Sequence, residues 1–461
     1  MSRVKRDTSA DGLSLLWNAQ LTGSPPQPDA SLAMSAPSWL PEARNLMSAI
    51  KAWGSKSVWA LIDQALFAGS NLLANLVLAR SLTPEGFGLY AFGFSAFLFV
   101  GNLHNPLIME PMLVFGATRH KEDFQPYLRT LLWIHWLFTS VLSLAVLGGV
   151  FCLGYASTHD TTMTVALIAA PAMLFSWLVR RACYVTSVPR TAALGGAAYL
   201  ALLAGGLFAL RSAGMLSVTS AFGLMGVVSI PAGALILPRP PKPRIEKPPW
   251  QSVATEHWMY GRWALLASAA CWIPANWYYV VLPGKLGLSA AGYFKALTVM
   301  IAPAAQVTAA AGLLLLPKLA RERHDHRRFT RSVAMALALL ISITMLYWCV
   351  LGLFPSQLAT ALFGPNWHFE KRHLILLGLF PCLAAIASVL GAALRAREEL
   401  RAVTLSHVGA AMLTVTIGTP LLTRYGIDGA IYGLLLSSLV PAILLGASLF
   451  HLRYRTGVDC G

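Results

Sequence analysis

Two cationic side chains lie within apolar segments, where a charge is costly and marks a functional site by default. Lys295 lies about six residues inside one such segment, which places it roughly 9 Å from the segment's end at a rise of about 1.5 Å per residue. Arg262 lies about four residues inside the preceding segment, counted from the opposite side of the membrane. In a watery cavity, such cations can hold an anion such as a phosphate or pyrophosphate. The alternative is that both side chains extend to the interface.

Amide and imidazole groups form a second set, in the first two apolar segments. Asn71 and Asn75 are four residues apart and therefore share a helix face. The next segment carries Asn102, His104 and Asn105 near its middle. These groups predict a hydrophilic cavity wall that binds substrate, with interhelical hydrogen bonding as the alternative.

A third set lies in the outer half of the seventh apolar segment, where Asn276 is followed by Trp277 in an aromatic cluster. The other aromatic residues of the cluster are Trp272, Tyr278 and Tyr279. An aromatic ring that faces a cavity can stack on a sugar, and we therefore count Asn276 and Trp277 as candidate substrate contacts. The alternative is a belt of aromatic residues at the membrane interface.

Two carboxylates and three prolines complete the candidate residues. Asp63 and Glu110 lie within the first two segments and are the groups to test for ion coupling. Pro106, Pro274 and Pro303 interrupt segments in both halves of the chain, which is typical of hinges in alternating-access transporters. The sequence contains no phosphate-binding loop, nucleophile elbow or zinc-binding motif. We therefore expect no cofactor, no metal and no enzymatic activity.

The composition indicates the elements that must position these residues. Of 461 residues, 56% are hydrophobic and 12% are charged, and the mean hydropathy is +0.61. These values predict an all-α polytopic membrane protein, since a spanning helix needs about 20 apolar residues. Twelve spans follow: Val58–Ala79, Phe87–Ala117, Tyr127–Gly154, Thr162–Val185, Ala192–Leu210, Ser217–Leu237, Trp258–Leu282, Ala290–Leu316, Phe329–Phe354, His373–Leu394, Ala402–Leu422 and Ile427–Leu452.

The predicted domains are two lobes of six helices separated by a basic, proline-rich linker. Residues 1–56 form a disordered tail that includes a short interfacial helix near 43–56, 57–237 the first lobe, 238–256 the linker, 257–453 the second lobe and 454–461 a short tail. A shift of 204 residues places Trp59 on Trp263 and Gly88 on Gly292. Because six is even, both lobes enter the membrane in the same direction, and the repeat is parallel.

The net charge of +16 serves as a topology signal. Most of the 35 lysines and arginines fall in the tails, the linker and loops on one side of the membrane. Cytoplasmic loops carry such an excess, so both termini are predicted to be cytoplasmic. Because this pattern accounts for the charge, we expect membrane lipids as partners and no nucleic acid.

The turn between the first two spans carries a family resemblance. It reads Leu78-Ala79-Arg80-Ser81-Leu82-Thr83-Pro84-Glu85-Gly86-Phe87-Gly88-Leu89-Tyr90, and a later segment reads Tyr425-Gly426-Ile427-Asp428-Gly429-Ala430-Ile431-Tyr432-Gly433. Both resemble Wzx-type polysaccharide and O-antigen flippases, in the oligosaccharide flippase family of the multidrug, oligosaccharidyl-lipid and polysaccharide exporter (MOP) superfamily. The long N-terminal tail and the basic linker depart from that pattern.

The resemblance implies a multi-pass protein of the bacterial inner membrane. Its substrate would be a polyprenyl-pyrophosphate-linked oligosaccharide, moved to the periplasmic leaflet for surface polysaccharide synthesis, with a polysaccharide polymerase and co-polymerase as possible partners. Cavity cations of such flippases are thought to contact the pyrophosphate, a role that Lys295 and Arg262 could fill here. Two alternatives stay open at this point: a cation-coupled drug exporter of the same superfamily, and a membrane-embedded glycosyltransferase or polymerase.

Overall fold

The computed structural model describes residues 39–152, 160–238, 249–365 and 367–458, and this part of the chain is helical and contains no strand. Residues Met1–Ser55 are a unit apart from Lys56–Gly461, and the contacts described below lie within the second unit. The helices are α1 (Trp39–Ser81), α2 (Pro84–His104), a π-helix (Asn105–Met109), α3 (Glu110–Ala117), α4 (Phe124–Cys152), α5 (Asp160–Val185), α6 (Pro189–Ser212), α7 (Val218–Ile236), α8 (Trp250–Leu286), α9 (Leu288–Glu322), α10 (His326–Leu353), α11 (Pro355–Phe363), α12 (Lys371–Leu377), α13 (Phe380–Ala396), α14 (Leu400–Leu413), a second π-helix (Thr414–Gly418) and α15 (Thr419–Val458).

Eleven segments of the described chain are long and apolar enough to cross a membrane. The last of them, Leu400–His451, has 52 residues and covers two of the predicted spans. It folds back at Gly426, whose φ of 62° lies in the left-handed region that glycine adopts most easily. Across this hairpin the hydroxyls of Thr414 and Ser437 lie 2.7 Å apart and form a hydrogen bond. The predicted all-α polytopic membrane fold is therefore confirmed, while the count of twelve and the repeat of two lobes stay predictions.

The predicted domain bounds can be compared with the described residues and with the ends of the helices. Of the predicted tail 1–56, residues 1–38 lie outside the described residues and 39–56 belong to α1. The predicted domain bounds, including the interfacial helix near residues 43–56, stay predictions. In the linker, residues 239–248 lie outside the described part, and α8 already begins at Trp250. At the far end, α15 reaches Val458.

The turn that carries the family resemblance is built from helix-capping residues. The hydroxyl of Thr83 accepts a hydrogen bond from the backbone N–H of Gly86 at 3.2 Å, and Pro84 occupies the first turn of α2. A hydroxyl before the helix and a proline at its start are the favoured residues of a helix N-terminus. On the other side of the turn, Arg80 donates to the carbonyls of Leu362, at 2.8 Å, and Ala361 in the last turn of α11. The turn therefore starts one helix and caps the end of another.

The two halves of the chain meet at the start of α2 and α9, which we call the glycine end. Gly88 and Gly292 pack so closely that a Cβ atom built on Gly88 would lie 1.9 Å from the carbonyl oxygen of Leu288. Beside them, the Ser289 hydroxyl donates to the Glu85 carboxylate at 2.6 Å. Both pairs are 204 residues apart, the shift of the predicted repeat. Contacts between equivalent positions are expected where a two-fold axis passes between two repeats.

Candidate substrate cavity

A cavity of two chambers lies among α1, α2, α5, α8 and α9. The first chamber has a volume of about 390 Å³ and the second about 570 Å³, and they are adjacent, because five residues line both. The shared residues are Phe67, Leu98, Trp177, Ala275 and Asn276. Volumes of this size are typical of sites for small molecules and head groups.

Lys295 is the cation of the second chamber. It is partly buried, and its Nζ lies 5.4 Å from the ring centre of Phe94 and 5.2 Å from that of Tyr279. Aromatic faces attract a cation but leave its hydrogen-bond donors free. Lys295 lies seven residues after Leu288 and therefore roughly 10 Å from the start of α9 at about 1.5 Å per residue. This side chain is thus a cation near the glycine end with room for an anion.

The first chamber contains two further cations, Arg180 and Arg181. The Nε atom of Arg180 lies 3.2 Å from Oδ1 of Asp63, and its guanidinium carbon lies 4.2 Å from the ring centre of Phe67. Tyr184 donates from its hydroxyl to the other oxygen of Asp63 at 2.6 Å. The sequence analysis selected neither arginine, although both lie inside the predicted span 162–185. The depth criterion that selected Lys295 would have found them.

The predicted amides divide between the two chambers. Asn71 and Asn75 line the second chamber, Asn102 and Asn105 line the first, and Asn276 lines both. They also stabilise helices: the Asn75 amide donates to the Asn71 carbonyl at 2.7 Å, and the Asn276 amide donates to the Trp272 carbonyl at 3.2 Å. Both hydrogen bonds lie within a single helix and are not the interhelical contacts of the alternative interpretation. Substrate binding by these amides stays a prediction.

Five residues predicted for substrate binding or ion coupling do not line either chamber, namely His104, Trp277, Arg262, Glu110 and Asp63. His104 is fully buried, and its Nε2 lies 2.8 Å from Nδ1 of His135 in the same half of the chain, while its own Nδ1 has no hydrogen-bond partner among the described residues. Trp277 donates its indole N–H to the hydroxyl of Thr419 at 2.8 Å and contacts α15 instead. Arg262 is exposed and precedes the apolar window that begins at Ala264. Glu110 accepts a hydrogen bond from the Asn105 amide at 2.8 Å.

The carboxylate of Asp63 also lies outside both linings, behind Arg180, and is fully buried. Among the described residues, the lining of the cavity therefore contains three cations and no carboxylate. Asp63 offsets the charge of Arg180, so Arg181 and Lys295 supply the net positive charge of this surface, which attracts anions and repels cations. Rings that could stack on a sugar are supplied by Trp177 and Trp272 in the first chamber and by Tyr278 and Tyr279 in the second.

The prolines predicted as hinges lie at or near the cavity. Pro106 falls in the π-helix that interrupts α2 and α3, an irregularity common at functional sites. Pro274 lies inside α8, and Pro303 lies in α9 and lines the second chamber. Their role as hinges stays a prediction.

At the end opposite the glycine end, a polar cluster that we call the latch joins the two halves. Arg119 and His120, after α3, contact the carboxylate of Glu256 in α8 at 2.6 and 3.1 Å. Next to them, Nδ1 of His257 lies 2.9 Å from the carbonyl of Leu107. That carbonyl lacks its usual helical donor, because the residue four positions later is Pro111. His257 replaces the missing donor from the other half of the chain.

The latch depends on a neutral histidine. Its Nε2 accepts a hydrogen bond from the Tyr127 hydroxyl at 2.6 Å, and burial lowers the pKa of His257 to about 4, only partly opposed by the hydrogen bond to Leu107. Burial alone would raise the pKa of Glu256, but hydrogen bonds from His120 and Arg119 outweigh it and lower that pKa. Both groups therefore favour the closed latch in their deprotonated forms.

Acidification is expected to open the latch. Once exposed to water, His257 would regain a pKa near its ordinary value of about 6.5. The open form then takes up the proton first, so the closed form loses stability as the pH falls from about 6.5 towards 4. Near pH 5 the loss is about 2 kcal/mol, or roughly 30-fold in the equilibrium. Spin labels at Lys121 and Gln251, both exposed, should report a longer distance at pH 5 than at pH 7.5. In His257→Gln the distance should stay constant over this range; an unchanged wild-type distance would contradict the prediction.

Three solved structures share this fold over most of the chain. An inward-facing MATE family multidrug resistance transporter of the MOP superfamily has a TM-score of 0.66 at 14% identity, covering 86% of this chain and 98% of that one. The lipid II flippase MurJ, in an inward closed conformation, has a TM-score of 0.68 at 11% identity, with 86% and 87% covered. A MOP superfamily transporter from Pyrococcus furiosus has a TM-score of 0.61 at 14% identity, with 86% and 94% covered. No curated protein sequence matches the chain.

The chain thus shares the fold of these MOP superfamily structures. Residues 77–370, more than half of the chain, match the model of the polysaccharide biosynthesis protein family. The chain belongs to this family, and the resemblance to polysaccharide flippases of the MOP superfamily is confirmed.

Proposed function

We propose that this protein translocates lipid-pyrophosphate-linked oligosaccharide repeat units across the bacterial inner membrane for surface polysaccharide synthesis. The family and the fold support a polysaccharide-related transporter. The observation that carries the choice of substrate is the charge of the cavity, which has cations at Arg180, Arg181 and Lys295 and no carboxylate in its described lining. A pyrophosphate is the anionic group of such a lipid-linked sugar, and arginine and lysine are the residues that bind phosphate oxygens.

In the proposed mechanism, the pyrophosphate contacts the cavity cations while the sugars contact amides and rings. Asn71, Asn75 and Asn276 offer amide groups, and Trp177 and Trp272 offer faces for stacking. The polyprenyl chain stays in the surrounding lipid, where its apolar surface costs nothing. Arg262, being exposed and outside the lining, is left out of this assignment.

Movement would follow from rocking of the two halves. They are joined at both ends of the bundle, by the glycine pair at one end and by the latch at the other. Alternating access requires one of these contacts to break while the other holds. Bending at Pro106, Pro274 and Pro303 would allow α2, α8 and α9 to follow. With both termini in the cytoplasm, the latch is the cytoplasmic contact and the glycine end the periplasmic one.

The coupled drug exporter receives less support from the cavity. Its candidate carboxylates, Asp63 and Glu110, are already hydrogen-bonded to Tyr184 and Asn105, and neither lines a chamber. A cavity without a lining carboxylate also suits a cationic drug poorly. A polymerase and a co-polymerase remain the expected partners downstream, since the flipped unit must be polymerised.

Replacing Lys295 with glutamine is expected to reduce translocation by about 10- to 100-fold, the loss of one charge-assisted contact worth about 1.5–3 kcal/mol. Lys295→Arg, which keeps the charge, should retain part of the activity. The measurement is the accumulation of lipid-linked repeat units in a strain that lacks the protein, complemented with each variant. Lys285→Gln is the matched control, because Lys285 is exposed at the end of α8 and lines neither chamber. Full complementation by Lys295→Gln would remove this residue from the mechanism, and absence of accumulation without the protein would refute flipping.

A further inference from the structure

We propose that the first chamber is a second anion-binding site, in which Arg180 binds a phosphate or pyrophosphate group before that group reaches Lys295. The inference rests on the proposed function for the nature of the substrate, and it adds a site and an order of events.

The guanidinium of Arg180 has side-chain partners at its Nε and on one of its flat faces. Its Nε faces the fully buried carboxylate of Asp63, and one flat side covers the ring of Phe67. Tyr184 in turn holds Asp63 through its hydroxyl. Guanidinium carries five N–H donors in a planar fork. Among the hydrogen bonds of the described residues, none uses the two terminal nitrogens of Arg180, so four donors remain for a ligand.

Two further donors of the same chamber lack a partner. The side-chain N–H groups of Asn102 and Trp272 are buried and make no hydrogen bond to the described residues, and both residues line the first chamber. Unpaired buried donors are costly, and a bound acceptor would relieve that cost. Asn102 accepts from Ser268 on its oxygen at 3.0 Å, so its amide nitrogen is the free end. The lining of the first chamber thus combines the arginines Arg180 and Arg181 with two residues that hold a buried, unpaired donor, and among the described residues it contains no carboxylate.

The position of the chamber sets the order. Arg180 lies five residues before the end of α5 at Val185, on the side of the latch, or roughly 8 Å from that end at about 1.5 Å per residue. Lys295 lies a similar distance from the glycine end. The cavity therefore has one cationic site near each end, joined by shared lining residues. A pyrophosphate that entered near the latch would meet Arg180 first and Lys295 second, in the direction of export.

The test is isothermal titration calorimetry, in which inorganic pyrophosphate is added to the full-length protein in lipid nanodiscs and the number of pyrophosphates bound per chain is measured. The wild type is expected to bind two pyrophosphates per chain, whereas Arg180→Gln and Lys295→Gln should each bind one. Arg180→Lys should weaken the first site about 10-fold, because a lysine lacks the fork. Asp63→Asn should weaken the first site several-fold and leave the second unchanged, which separates positioning of Arg180 from a general loss of folding. Arg129→Gln, an exposed arginine of α4 outside both linings, is the control.

Arg180→Gln leaves Asp63 buried without its partner, so Asp63→Asn with Arg180→Gln provides a folded variant that lacks both charges. It should still bind one pyrophosphate. A polyprenyl pyrophosphate is expected to compete at both sites, since it carries the same head group; competition only at the Lys295 site would overturn the proposed order. Binding of a single pyrophosphate that Lys295→Gln abolishes and Arg180→Gln leaves intact would overturn the second site but not the proposed function. A different result would contradict the role of Lys295 in the proposed function but not the second site. In that case Lys295→Gln would complement the deletion strain fully, while Arg180→Gln would still bind one pyrophosphate fewer than the wild type.

Discussion

Replacing Gly88 with valine is expected to separate α2 from α9 and to shift the protein away from the conformation seen here. A Cβ atom at this position would lie 1.9 Å from the carbonyl oxygen of Leu288 and 2.9 Å from the backbone nitrogen of Gly292. Backbone atoms cannot rotate away as a side chain can, so the helices must move. Overpacking of this kind costs about 1–3 kcal/mol, which is a shift of roughly 5- to 150-fold in a two-state equilibrium.

The shift is measured by spin labels at Met215 and Lys285, two exposed positions at the glycine end. Gly88→Val and Gly292→Ala should both lengthen the distance between the labels and reduce translocation. Gly148→Ala is the matched control, because it places a methyl group where no atom lies within 4 Å. Alanine in a helix is favourable by up to about 1 kcal/mol over glycine, so this control should be neutral or stabilising. An unchanged distance in Gly88→Val would show that this contact does not hold the two halves together.

The same glycine pair shows what the sequence could provide. Self-similarity placed Gly88 on Gly292, and composition alone predicted the helical membrane fold. The sequence pattern says that two positions are equivalent, but it carries no distance. Only the folded chain shows that these equivalent glycines touch, because contact depends on how α2 and α9 cross.

The cavity was predicted in part, and the misses have a common cause. A polar residue inside a span needs a hydrogen-bonding partner. Its position in the sequence does not show whether that partner is a ligand or a side chain of a neighbouring helix. Lys295 and Asn71 line the cavity, whereas His104 found its partner in His135, a residue about one helix away in sequence. Exposure to lipid, cavity or protein depends on which face of each helix packs inward, and twelve nearly uniform apolar segments carry little information about that.

Arg180 illustrates the opposite error. A charge near the end of a span was counted as a loop charge, since an arginine there can extend to the interface. In the structure its partner is Asp63 of α1, which lies near the same end of another span. An acidic and a basic residue at matching depth in two spans is a pattern that sequence alone offers, and it would have indicated the pair.

The ion pair between Arg180 and Asp63 is expected to contribute strongly to the stability of the protein. Arg180→Ala is expected to destabilise the protein by about 3–5 kcal/mol, because it leaves the carboxylate of Asp63, which is 0% exposed, without a countercharge. Asp63→Ala should cost less, since Arg180 lines the first chamber and its guanidinium can be hydrated there. Replacing both residues, as Asp63→Asn with Arg180→Gln, should restore stability to within about 1–2 kcal/mol of the wild type, as expected when a buried charge pair is removed as a unit.

Thermal unfolding in detergent orders these variants: wild type, then the double variant, then Asp63→Ala, with Arg180→Ala the least stable. The asymmetry between the two single variants is the decisive feature, because a simple loss of one ion pair would make them equal. Tyr184→Phe adds a graded step, since it removes one hydrogen bond from Asp63 and should cost about 1 kcal/mol. Equal melting temperatures for Asp63→Ala and Arg180→Ala would mean that both charges are equally shielded from water. Arg180 would then have no free edge toward the first chamber, and the anion site assigned to it would lose its main donor.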